Sequence, residues 1–126
     1  MFWKKKKIPE NKNTVMAVGS FDNFHAGHEH YLKKARELGD FLIVVIARDN
    51  TIRSARGFSP ELNEKARFKL IQRSDLADMV IFGNYDDKHQ VILDYKPKFI
   101  ALGYNQFIFT QKLEQLIIKN KLSSEI

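Results

Sequence analysis

The sequence contains no cysteine, which excludes disulfides and thiolate metal sites and fits a cytoplasmic protein. No apolar run reaches the roughly 18–20 residues that a helix needs to cross a bilayer, so no membrane partner is expected. Met1-Phe2-Trp3 is followed by Lys4 to Lys7 with no apolar stretch behind the charges, which is not the pattern of a signal peptide. No glycine is followed by Lys-Ser or Lys-Thr, so a P-loop is absent. Only Gly19 precedes the first strand-to-helix junction, so the glycine pattern of a dinucleotide-binding fold is missing as well. Neither an internal repeat nor a linker interrupts the chain.

What remains is a chain of 126 residues, 44% of them hydrophobic, 12% aromatic and 29% charged. That suits one compact domain with one core. The net charge of +6 favours anionic partners. Much of the excess lies in the Lys4–Lys7 run, inside a polar stretch over residues 1–13 that reads as a flexible basic lead-in. The remainder carries too small an excess for nucleic acid to be an expected partner.

Hydrophobic patterning divides residues 14–126 into alternating elements. Thr14 to Val18 is β-prone and closes at Gly19. Tyr31, Leu32, Ala35 and Leu38 mark one face of a helix over 28–38, with Gly39 expected to end it in a left-handed conformation. Phe41 to Ala47 is apolar on both faces, as a strand buried between helical layers must be. Residues 48–59 are polar and rich in arginine and read as a loop, and Ser59-Pro60 reads as the start of a helix running to about Arg73. Met79 to Phe82 is a short strand, and Asp86 to Tyr95 a helix stopped by Lys96-Pro97. Phe99 to Leu102 is a fourth strand and Gln106 to about Lys121 a final helix. This alternation predicts an α/β fold: a Rossmann-like parallel sheet flanked by helices on both faces. In such sheets ligands bind outside the carboxyl ends of the strands. Residues 19–28, 48–57, 83–87 and 103–106 all fall at that edge.

His25 and His28 stand three residues apart around Gly27, where the first strand passes into the first helix. A helix start offers backbone N–H groups and a positive dipole end to phosphate, and Gly27 allows close approach. Two imidazoles one turn apart can donate to phosphate oxygens and stabilise the charge that gathers on leaving phosphates. A zinc site from His25, His28 and His30 is the competing reading, without a thiolate or an obviously spaced carboxylate to complete it.

The run Gly19-Ser20-Phe21-Asp22-Asn23-Phe24-His25-Ala26-Gly27-His28 resembles the signature of the cytidylyltransferase-like nucleotidylyltransferases. Ala47-Arg48-Asp49-Asn50-Thr51 with Gly57, Pro60, Glu64 and Arg67 resembles the second segment of that family. Ala77 to Gly83 and Lys96 to Gln106 match further on, and Leu102-Gly103-Tyr104-Asn105-Gln106 is most similar to the stand-alone FAD synthetases of the superfamily. The resemblance implies transfer of AMP from ATP to FMN, giving FAD and pyrophosphate. The neighbouring alternative is cytidylyl transfer from CTP to glycerol 3-phosphate or a similar phosphorylated alcohol. A module that binds nucleotide or flavin without catalysis is the other.

By resemblance His25 and His28 contact the triphosphate, and Arg53, Arg56 and Arg67 are candidates for its β- and γ-phosphates. Gly19, Ser20, Phe21 and Gly27 line the nucleotide, and Gly103, Tyr104, Asn105 and Gln106 border the base or nucleoside. Mg²⁺ is expected to be held chiefly by the triphosphate, with Asp22 as its one candidate protein ligand. Alternatives stand beside these roles. Asp22 can serve as a turn cap, Arg53 and Arg56 as solvated loop residues, and Arg67 as a surface partner of Glu64. Tyr104 and Phe107 can stack on a ring or pack on the last helix. Relatives often form dimers, so a homodimer is among the expected assemblies. Family members also usually continue into a further strand and a Ser/Thr-rich segment. A chain ending Leu122-Ser123-Ser124-Glu125-Ile126 is expected to lack these, to bind nucleotide weakly and to turn over slowly or not at all.

Overall fold

The computed structural model describes residues 13–22, 26–83 and 90–101, apart from the side chains of Ala55 and Arg56. The basic stretch over 1–12, the helix expected over 106–121 and the C-terminal residues lie outside these.

Four strands form one parallel sheet: β1 (Thr14–Gly19), β2 (Phe41–Ile46), β3 (Met79–Phe82) and β4 (Phe99–Ala101). Their order in space is β3-β2-β1-β4. The chain therefore steps one way through its first three strands and then returns to the far side of β1. Right-handed crossovers put helices on one face during the first run and on the other face after the reversal. The two layers follow that rule. Leu32 and Ala35 of α1 (Ala26–Glu37) and Ile71 of α3 (Glu64–Ser74) pack with Val15, Ala17, Leu42, Val44 and Ile46. Val91 and Ile92 of α4 (Gln90–Tyr95) pack with Met16, Val18, Ile43, Val45, Ile81 and Ile100 on the opposite face. The Rossmann-like sheet with helices on both faces is thus present.

Three boundaries differ from the sequence reading. The segment read as a loop over 48–59 contains α2 (Asp49–Arg56), which ends at Gly57 with φ +82. Its one described buried side chain is Ile52, and its eight residues offer too few apolar positions to set a period. The helix after it does not begin at Ser59-Pro60. Asn63 caps it, its side chain accepting from Ala66 N at 2.9 Å, and α3 starts at Glu64. Gly39 follows α1 but does not take the left-handed conformation. Its reason is steric: a Cβ there would lie 2.4 Å from the Asn13 carbonyl oxygen and 2.8 Å from Val15 Cγ2. Gly39→Ala is therefore expected to cost about 1–3 kcal/mol, the range for overpacking, read from the urea midpoint.

The stop at Lys96-Pro97 stands as read. Lys96 takes φ +47 and its N–H closes on Ile92 O at 2.8 Å. Among the described residues no helix is long and apolar enough to cross a membrane.

Candidate active site

The parallel register brings the carboxyl ends of the strands to one edge. Gly19 pairs with Ile46, and Ile46 with Phe82. Two further bonds extend the line, Ala47 N to Gly19 O at 3.0 Å and Gly83 N to Ile46 O at 2.9 Å. The strand order reverses between β1 and β4, and in open α/β sheets ligands bind at the carboxyl ends of the strands where the order reverses. The residues following β1 lead to the histidine pair. His28 stands in the first turn of α1, at the end where N–H groups and the dipole are positive. Its ring meets Phe21 edge-on, 5.6 Å between centroids at 65°.

Phe21 is buried and takes φ +52, a left-handed conformation that costs a bulky residue of the order of 1–3 kcal/mol. Its ring folds under Gly19, where a Cβ would stand 3.1 Å from Phe21 Cε2. Gly19 thus makes room for an aromatic ring that supports His28. His25 lies outside the described residues, as do Gly103, Tyr104, Asn105, Gln106 and the side chain of Arg56. Gly27 is exposed in the first turn of α1, beside His28.

Asp22 reaches across to the segment before α3. Its two carboxylate oxygens accept from Glu61 N at 2.8 Å and Leu62 N at 3.0 Å, tethering the histidine loop to the segment before α3. Arg53 is exposed on α2. Among the described residues no three His, Asp or Glu side chains are grouped so as to hold a metal ion.

Arg67 is fully buried, contrary to a surface pair with Glu64. Its Nη1 donates to the carbonyls of Ser20 and Ala47, each at 2.8 Å. Nε donates to Leu62 O at 3.0 Å and Nη2 to Asp49 Oδ1 at 2.6 Å. Glu64 turns instead to α2: its Oε2 meets Arg48 Nη1 at 2.6 Å and its Oε1 accepts from Asp49 N at 3.0 Å. Arg48 also donates to Gly83 O at 2.7 Å and lies 4.4 Å over the Phe82 ring. Two helix neighbours of opposite charge are therefore paired crosswise with two residues at the end of β2. The four charges sum to zero, and the guanidinium fork of Arg67 ties the ends of β1 and β2 to the segment before α3. Arg48, Asp49 and Glu64 were not singled out as site residues. Their signal in the sequence was a charged pair closing an apolar strand, facing charges one turn apart in the following helix.

Tyr31 is half-buried, and its hydroxyl donates to Ala101 O at 2.6 Å with a second arm to Val18 O at 3.2 Å. Burial pushes this phenol well above the usual tyrosine range, and burial with the nearby Asp94 carboxylate raises Tyr95 as well. The folded state then holds these protons more tightly than the unfolded chain. Their contribution is complete below pH 10 and is lost as the pH rises beyond it. The thermal midpoint is expected to fall above that pH, and less steeply in Tyr31→Phe.

A family model for cytidylyltransferase-like proteins matches residues 16–126. The chain belongs to that family. Among cytidylyltransferase-like relatives, a FAD synthase of Thermoplasma volcanium is 40% identical over 112 residues, 89% of this chain and 78% of that protein. A FAD synthase of Thermoplasma acidophilum is 41% identical over 108 residues, 86% of this chain and 72% of that one. The crystal structure of a lipopolysaccharide core biosynthesis protein from Thermoplasma volcanium matches with a TM-score of 0.85 at 39% identity. The match covers 92% of this chain and 94% of that one. The cytidylyltransferase-like chain thus shares its fold with a protein from this archaeal genus.

Proposed function

We propose that this protein is an FMN adenylyltransferase, transferring AMP from ATP to FMN to give FAD and pyrophosphate. The observation that carries the reading is its likeness, at 40% and 41% identity over most of each chain, to two FAD synthases. The site supports it. An oxygen of the FMN phosphate attacks the α-phosphorus of ATP, and the bond from that phosphorus to the bridging oxygen breaks as pyrophosphate leaves. A phosphate monoester with a second pKa near about 6 is largely ionised at neutral pH, so its attack needs no strong base. Catalysis then consists of alignment and charge stabilisation.

This reading assigns that work to His28 and the first N–H groups of α1, which follow β1, with His25 as the expected second donor. Asp22 and Arg67 act one step back. Both hold the loop that carries the histidines, through backbone groups of residues 20, 61 and 62. Mg²⁺ enters with the triphosphate, whose oxygens supply most of its ligands. A homodimer is compatible with this reading and would be measured by sedimentation.

The test is direct. The chain is incubated with Mg²⁺ and either ATP with FMN or CTP with glycerol 3-phosphate, and FAD and pyrophosphate are measured. FAD with equimolar pyrophosphate in the first mixture is expected. Pyrophosphate from the second mixture alone would replace the reading with cytidylyl transfer.

A further inference from the structure

The seam between β1 and β4 is closed by a side chain that no assigned role includes. The described ladder of these strands ends at the pair Ala17 and Ala101. Just there, the Tyr31 hydroxyl of α1 reaches one carbonyl from each strand, Ala101 O at 2.6 Å and Val18 O at 3.2 Å. The two strand ends it joins are those at which the strand order reverses. The ring of the same residue stacks on Phe21, 6.2 Å between centroids at 20°. Phe21 in turn meets His28 edge-on. Three rings thus run from the seam to the imidazole. The middle one has little room to adjust, being 2% exposed, left-handed in φ and pressed against Gly19.

From this geometry we infer that Tyr31 is a positioning residue: its hydroxyl sets the spacing of the β1 and β4 ends, and its ring, through Phe21, sets the imidazole of His28. Its kinetic consequence rests on the adenylyl-transfer reading, whereas its geometry does not. A phosphate donor acts only within a narrow distance and angle of the charge it stabilises, so a small displacement of His28 lowers turnover more than it lowers binding of ATP.

Tyr31→Phe keeps the ring and removes the hydroxyl; Tyr31→Leu removes both. Each is compared with the unaltered chain at a temperature where circular dichroism shows all three folded. Two readouts are taken: the imidazole resonances of His28 without substrate, and kcat and KM for FAD formation. Tyr31→Phe is expected to shift the His28 resonances and to lower kcat roughly 10–100-fold, with KM for ATP changing by less than about threefold. Tyr31→Leu is expected to move both further. Unmoved His28 resonances in Tyr31→Phe, or a kcat equal to that of the unaltered chain, would overturn the inference. Should the unaltered chain form no FAD while Tyr31→Phe still shifts the His28 resonances, the positioning role holds. In that case it is the adenylyl-transfer reading that fails.

Discussion

Replacing His28 with alanine is expected to lower kcat for FAD formation about 10²–10³-fold, the usual cost of removing one donor to developing negative charge. The effect should fall on turnover, since FMN supplies its own ionised nucleophile and the imidazole is not needed to make one. His28 is half-buried, with its ring edge-on to the buried Phe21. Circular dichroism gives the thermal midpoint, so that kcat is compared where both proteins are folded. His28→Asn keeps a donor and should recover part of the rate. A loss of only a few fold in His28→Ala would move the charge stabilisation to other groups on the edge.

Replacing Arg67 with methionine is expected to destabilise the protein by about 3–5 kcal/mol, the cost of breaking a buried ion pair from one side. The methionine keeps the volume of the stem but leaves three backbone carbonyls and the Asp49 carboxylate without their donor. Asp49 is itself 26% exposed at its side chain, so water relieves part of its share. Arg67→Lys restores the charge but not the planar fork, and a single ammonium cannot reach four acceptors. It should recover less than half of the loss in urea unfolding. The pattern separates a fork that ties segments together from a cation that meets phosphate. The latter would lower ATP affinity with stability unchanged.

The strands were legible because burial on both faces leaves a continuous apolar run, and Phe41 to Ile46 is one. The ligand edge followed from their parallel alternation and from the histidine signature. α2 was not legible, because an eight-residue helix with one described buried side chain offers too few apolar positions to set a period. Its first N–H is satisfied from outside, by Glu64. The start of α3 was misplaced for a related reason. Ser59-Pro60 is a sound local signal, but the N–H groups of Glu61 and Leu62 go to Asp22, some forty positions earlier in the chain. A distant acceptor outweighed a local cap.

The succession of the four strands and the parallel polarity of the sheet were thus determined by the sequence alone. Periodicity and turn residues are local properties, and right-handed crossovers translate them into layers. The charge pairing was decided only by the tertiary structure. Glu64 and Arg67, one turn apart, would pair with each other on an isolated helix. In the fold each faces a different partner at the end of β2, because burying Arg67 requires acceptors on several sides at once, and only the packed edge supplies them. The same holds for Tyr31. Nothing in its sequence neighbourhood marks it, and its place at the seam arises where two strands distant in the chain come to lie side by side.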